Sequence, residues 1–409
     1  MDRRTRTWYW GLGALLVLLF ALRTAGRRNE GDLVVYYETW QRVLAGQDMY
    51  HRLELQPPTP TAYIYPPPFA LVFAPLGALP YAGVRFLWCL GSGLLALRAL
   101  DVGLRMVQRG GQPRHPWLTP ALGAALWLRF VLDDLGHGQV NTLVTALAVE
   151  GAWRAERGRE RSGALCLAAA IALKLTPALL LLGYLLAGRR SMVLRTSLAV
   201  AGWLLLPGLV YGVGGAATLL VRFVGDVTGW NYALHVCVPA NASLTGLVHH
   251  LLVGFAPHAG APPVPALLAL DPAWARGLAS GLGLLVAAAL GWWVVRTRPE
   301  PARRTAVLLA AVPLISPVTW KHHLTGLLLA YLLAARSLLE ERASRPARAV
   351  LLVGIALTAL STRALVGRGL SDALLRWGGV TIGVALLVLG TALAATPGEE
   401  ASRGAQGGP

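Results

Sequence analysis

Long runs of Ala, Leu, Val and Ile recur from end to end of this chain, cut by short polar or basic stretches. They lie near residues 8–24, 82–104, 117–132, 139–153, 163–187, 192–213, 273–295, 305–318, 323–336, 347–362 and 373–395. A membrane-crossing helix takes about 17 to 25 apolar residues, so the pattern predicts an all-α polytopic membrane protein with about 10–12 transmembrane helices. Residues 66–80 are too short and too rich in proline to cross alone. The basic start Met1–Arg6 and the run from Trp8 to Leu22 read as a first transmembrane helix, because no small-residue cleavage site follows. Residues 1–395 are expected to form one integral membrane domain, with outer loops at 25–65 and 214–272. The Gly-, Ser-, Glu- and Pro-containing tail, 396–409, is expected to be disordered.

Loop charge orients these runs. Segments 105–114, 154–161, 189–195, 296–304 and 336–348 carry three, four, three, four and four Lys or Arg. Segments 133–138, 214–272, 319–323 and 363–368 carry none, one, one and two. Basic loops stay in the cytoplasm, which places the second set outside. The alternation holds only if 163–187 is broken rather than a single span. Leu175-Thr176-Pro177 is the natural break, since proline disfavours helix in the residue before it. Lys174 then sits at the tip of a re-entrant pair. Such breaks are tolerated in a bilayer only when buried in protein or lining a cavity.

Composition agrees with a membrane location. The chain is 55% hydrophobic and 14% charged over 409 residues, with mean hydropathy +0.53. The net charge of +17 comes mainly from the short loop clusters. There is no basic stripe with interleaved aromatics, which argues against a nucleic-acid partner. Cys89, Cys166 and Cys237 are too scattered for a disulfide framework or a metal site.

The unusual polar residues then gather on the outer side. GDLVVYYETW (31–40) places Asp32 after a glycine, either as a helix cap or as a general base. Tyr36, Tyr37 and Trp40 suit interface anchoring. The prolines of YIYPPPF (63–69) suggest a rigid bend. In DDLGHGQVNTL (133–143), His137, Gln139 and Asn141 can hydrogen-bond sugar hydroxyls. The pair Asp133-Asp134 alone is a weak metal signal, and no metal or cofactor is expected. Lys174 and Arg129 are intramembrane cations able to hold a phosphate, although Arg129 could instead snorkel. In SPVTWKHH (316–323), adjacent histidines diverge on a helix, so they do not share a metal. One imidazole could still hold a carboxylate or a leaving phosphate.

GDLVVYY, the YxYPPxF pattern of Tyr63 to Phe69, GQVN, ALKLTPALLLL and SPVTWKHH, in that order from about Asp32 to His323, resemble glycosyltransferase family 87. The resemblance implies a GT-C type bundle with an extracytoplasmic active site in the cell membrane. It also implies transfer of a hexose, mannose by preference, from a polyprenyl-phosphate donor to a lipid or glycan hydroxyl by inverting displacement. Asp32 maps onto the family's base, His322 or His323 onto its assisting histidine, and Lys174 onto the residue that contacts the donor phosphate; Arg129, read from its place in an apolar run, is a second candidate for that phosphate. Tyr36, Trp320, Asn241, His137, Gln139 and Asn141 fall to the sugar or acceptor. Asn241-Ala242-Ser243-Leu244 stands where the family usually has Asn-Gln-Ser-Leu, and His249 and His250 stand where it carries a basic residue. The competing class is a lipid or glycan transporter, which would call for inverted repeats and midplane polar residues. No internal duplication is visible, and the polar residues collect at one face.

Overall fold

The computed structural model describes residues 3–26, 31–51, 62–108, 113–254, 265–341 and 343–394. The 396–409 tail and parts of both proposed outer loops lie outside these. Among the described residues the chain is helical and holds no strand. Among the described residues four helices, Tyr81–Val107, Gly208–His235, Pro272–Thr297 and Lys321–Leu339, are long and apolar enough to cross a membrane. Residues Arg345–Leu360 and Arg363–Arg376, bent by 99°, bring the number to five if taken together. Other apolar runs fold as shorter helices, such as Thr176–Leu186 and Gly379–Leu393. The protein is a multi-pass membrane protein. Large apolar side chains stand exposed along the long helices, including Leu209, Val213, Trp274, Leu284 and Trp292, as lipid-facing surface requires.

The described residues form two compact units. The first comprises Met1–Ala99, Val131–Ala178 and Arg190–Leu234; the second comprises Leu100–Phe130, Leu179–Arg189 and His235–Pro409.

In the first unit, α1 (Arg3–Ala25) precedes the short α2 (Leu33–Leu44), whose apolar positions recur at helical spacing. Leu33, Tyr36, Trp40 and Val43 form one buried face. It packs on α3 (Pro67–Phe73) and the 3-10 turn Ala74–Ala78. Proline at the first position of α3 suits a helix start, because the missing N–H would be unsatisfied there anyway. Then come α4 (Tyr81–Val107), α5 (Leu118–His137), α6 (Asn141–Ala155) and α7 (Glu160–Leu173). Gly151 and Gly163 let the backbones of α6 and α7 touch: a Cβ on either would lie within 3.0 Å of the other helix's backbone. This is the small-residue packing that associates membrane helices. Helix α7 stops at Leu173, and Lys174 turns extended (φ −156°, ψ 124°) before the turn Thr176–Ala178. The break falls where Pro177 was expected to impose it.

The second unit begins with the ends of α4 and α5 and includes α8 (Leu179–Leu186). The first unit resumes with α9 (Arg190–Leu205), α10 (Gly208–Arg222) and α11 (Thr228–His235). The remaining helices of the second are α12 (Leu244–Leu252), α13 (Pro272–Thr297), α14 (Pro301–Ile315), α15 (Leu328–Leu339), α16 (Arg345–Ile355), α17 (Arg363–Arg376) and α18 (Gly379–Leu393). Helices α14 and α15 are buried almost throughout. Helix α18 packs on α14 and α16. The start of α13 is set by Asp271, whose carboxylate accepts the Ala273 N–H at 2.7 Å.

Candidate active site

Two distant segments meet in the first unit through glycine. Gly31 adopts φ +88°, and a Cβ there would lie 2.4 Å from the His137 carbonyl oxygen. Gly138 adopts φ +67°, and its Cβ would lie 2.5 Å from that of Leu33. Both conformations and both clearances favour glycine. The contact is sealed by the Asp32 N–H, which donates to the His137 carbonyl at 2.9 Å.

This approach sets Gln139 against Asp32. The Gln139 Nε2 donates to Asp32 Oδ2. Its Oε1 accepts from Tyr65 OH at 3.0 Å and Tyr36 OH at 3.2 Å. A carboxylate only accepts, so the amide nitrogen must face Asp32 and the tyrosines must donate to the amide oxygen. The Gln139 backbone is held too: its N–H donates to Asp134 O at 2.9 Å, and its carbonyl accepts Trp88 Nε1–H at 3.2 Å.

The network continues through Asn141 to the cation. Lys174 Nζ donates to Asn141 Oδ1 at 2.6 Å and lies 5.7 Å from the centre of the Tyr65 ring. Asn141 Nδ2 donates to Asp134 Oδ1 at 2.9 Å and makes a longer contact to Gln139 Oε1 at 3.5 Å. Fully buried Asp134 also accepts the Thr142 N–H at 2.9 Å, so it secures the start of α6. Asp32, Gln139, Asn141 and Lys174 therefore form one polar cluster, with the two tyrosines donating into it.

Asp32 precedes α2 in helical backbone geometry, and its side chain makes no cap hydrogen bond. The capping alternative therefore does not describe its carboxylate. Tyr36 and Trp40 are not interface anchors: both are buried, in an aromatic cluster with Tyr65, Phe69 and Trp88. Tyr37 alone of the three is near the surface, donating to the Leu79 carbonyl at 2.9 Å. The proline stretch does more than bend, since it delivers the Tyr65 hydroxyl to Gln139. His137 is exposed, and its Nδ1 donates to the Asp133 carbonyl at 2.8 Å.

The remaining sequence-derived residues belong to the second unit. Asn241 is buried and its amide is spent on backbone: Nδ2 donates to Pro317 O at 3.1 Å and Val236 O at 3.2 Å. Its Oδ1 accepts from Thr319 N at 2.9 Å and Ser243 N at 3.2 Å. Ser243 Oγ adds a bond to Pro317 O at 3.0 Å. These bonds clamp the 316–319 turn to the 235–243 loop. The histidines follow on a 3-10 turn, Lys321–Leu327. His323 Nδ1 accepts the Trp320 N–H at 3.2 Å, while His322 is buried with its ring 4.8 Å from that of His323. Trp320 meets the His235 ring edge-on at 5.5 Å. Arg129 donates to the carbonyls of Thr358 and Ala359 at 2.7 and 2.8 Å. Those carbonyls belong to the π-helical turn Ala356–Leu360, whose wider winding opens them to a partner. His249 and His250 donate to the Thr245 and Val238 carbonyls, and burial pushes both below the ordinary imidazole value.

The family model of glycosyltransferase family 87 matches residues 63–317. The chain belongs to glycosyltransferase family 87. A similar protein is a polyprenol-phosphate-mannose-dependent α-(1-2)-phosphatidylinositol mannoside mannosyltransferase of Mycobacterium tuberculosis. It is 27% identical over 295 residues, 66% of this chain and 61% of the relative. A phosphatidylinositol pentamannoside mannosyltransferase of Mycolicibacterium smegmatis, also polyprenol-phosphate-mannose-dependent, is 36% identical over 144 residues, 35% of this chain and 34% of that one. The matched chain thus spans less than two thirds of either relative. The crystal structure of ArnT from Cupriavidus metallidurans in the apo state aligns over 98% of this chain and 80% of its own, at 15% identity and TM-score 0.39.

Proposed function

We propose that this family 87 member transfers a mannosyl group from a polyprenyl-phosphate donor to a hydroxyl of a lipid or glycan acceptor on the extracytoplasmic face. The observation that carries the reading is the linkage of a carboxylate, Asp32, to an ammonium, Lys174, through one hydrogen-bonded cluster. The relatives' donor and mannosyl specificity support the substrate class. In the reaction the acceptor oxygen attacks the anomeric carbon and Asp32 takes its proton. The bond from that carbon to the phosphate oxygen breaks, and polyprenyl phosphate leaves with the electron pair. Lys174 supplies positive charge where negative charge develops. One displacement inverts the anomeric centre, so a β-linked donor gives an α-linked product.

The test supplies radiolabelled polyprenyl-phosphate hexoses to membranes with and without the protein. Label is expected to pass from the mannosyl donor into a lipid or glycan fraction only when the protein is present, and not with Asp32→Asn. Absence of transfer from every polyprenyl-phosphate hexose removes the reading. Undiminished transfer by Asp32→Asn removes Asp32 from it.

A further inference from the structure

We infer that Gln139 is a positioning residue for Asp32, and that Tyr36 and Tyr65 act through it by fixing which way its amide faces. This rests on the reading of Asp32 as the base. A sugar-binding amide needs atoms to spare, yet both ends of the Gln139 side chain are engaged and the residue is 4% exposed. Its backbone is pinned on both sides, by Asp134 and Trp88. The amide therefore cannot swing away without breaking several bonds at once.

What this rigidity achieves is orientation. Gln139 engages Oδ2 of Asp32, and among the described residues no group bonds Oδ1. A carboxylate with one oxygen held by a fixed donor presents the other in a defined direction, as a general base requires. Were the amide reversed, Gln139 Oε1 would face Asp32, oxygen against oxygen. Two hydroxyl donors on Oε1 oppose that reversal. A hydroxyl can rotate and accept instead, but the Asn141 Nδ2 beside Oε1 can only donate, and its bond to the accept-only Asp134 fixes that end of Asn141, so the reversed amide would set donor against donor. Lys174, Tyr36 and Tyr65 interact electrostatically with Asp32, Asp134 acts on the same three groups, and His137 adjoins Asp32 through its backbone carbonyl.

The experiment is steady-state transfer from labelled polyprenyl-phosphate mannose to the lipid extract labelled in the membrane assay, with Asp32→Asn in parallel. A misplacement near 1 Å costs about 100-fold, so Gln139→Leu is expected to lower kcat by roughly that factor and to leave donor KM within about threefold. The double variant Tyr36→Phe/Tyr65→Phe keeps the aromatic packing and so tests the inference even if Gln139→Leu fails to fold. Its kcat is expected to fall about tenfold, again with donor KM unchanged. Gln139→Glu sets a second carboxylate against Asp32 and disfavours its ionised form, so the acid limb of kcat/KM should move to higher pH. Parent-like kcat in Gln139→Leu overturns the inference, as does a raised KM with unchanged kcat in either hydroxyl or amide variant. Undiminished activity in Asp32→Asn would instead remove Asp32 as the base on which the inference rests, so the two failures are told apart.

Discussion

Two buried amides, Gln139 in the first unit and Asn241 in the second, do opposite jobs with the same chemistry. Each has donor and acceptor ends satisfied, and each ties together segments far apart in sequence. Asn241 spends its bonds on backbone groups of Val236, Ser243, Pro317 and Thr319. Gln139 spends its side chain on other side chains, one of them a carboxylate. An amide satisfied by main chain fixes the path of the chain. An amide satisfied by a carboxylate and two phenols fixes the pose of a reactive group. Burial and saturation alone would have scored the two as equivalent; the identity of their partners separates them.

That contrast can be broken first at Asp32. General-base catalysis contributes about 10²- to 10⁴-fold, so Asp32→Asn should lower the transfer rate by that order with the melting temperature in detergent near the parent's. A folded, fully active variant would place the two amides back on equal terms. Asn241→Ala should behave the other way around. It strands three backbone groups, the Val236 carbonyl and the Ser243 and Thr319 N–H groups, and each buried group left unsatisfied costs about 1–3 kcal/mol, so a loss of at least about 3 kcal/mol is expected, read by thermal denaturation. A variant as stable as the parent would mean the clamp does not hold the loop. Lys174→Met should raise donor KM by about 10- to 100-fold, the worth of a charge-assisted bond of about 1.5–3 kcal/mol, with a smaller effect on kcat. Unchanged donor affinity would assign Lys174 to structure alone. Arg129→Met should cost the least, about 1–2 kcal/mol of stability with little change in donor KM, because its guanidinium serves the carbonyls of the π-helical turn. A large rise in donor KM there would return Arg129 to the phosphate.

Much of the cluster was legible because its members are costly. A lysine inside an apolar run, or a Gln and an Asn beside a glycine in a membrane protein, stands out on composition alone. The break after Leu173 was equally visible, since Pro177 acts on its immediate neighbours. What escaped was whatever depends on a meeting between distant segments. Gly31 and Gly138 look like ordinary loop glycines until the backbone of each is seen against the other segment. Tyr65 read as part of a proline bend and Asp134 as half of a weak metal pair, because neither partner is near in sequence. Tyr36 and Trp40 were assigned to the membrane interface, where aromatics are common. The same residues at helical spacing also make a packed core, and only burial tells the cases apart. Asn241 and Arg129 are residue types suited to ligands, and in the structure both bond backbone carbonyls.

The order of donors along the cluster carries one more implication. Lysine can only give hydrogens and an ionised aspartate can only take them, so the amides between Lys174 and Asp32 have a fixed sense. Amide hydrogens are not released at neutral pH. The cluster therefore works as a strut and not as a conduit. A proton collected by the carboxylate cannot drain inward towards the lysine; it must depart on the side from which the hydroxyl came.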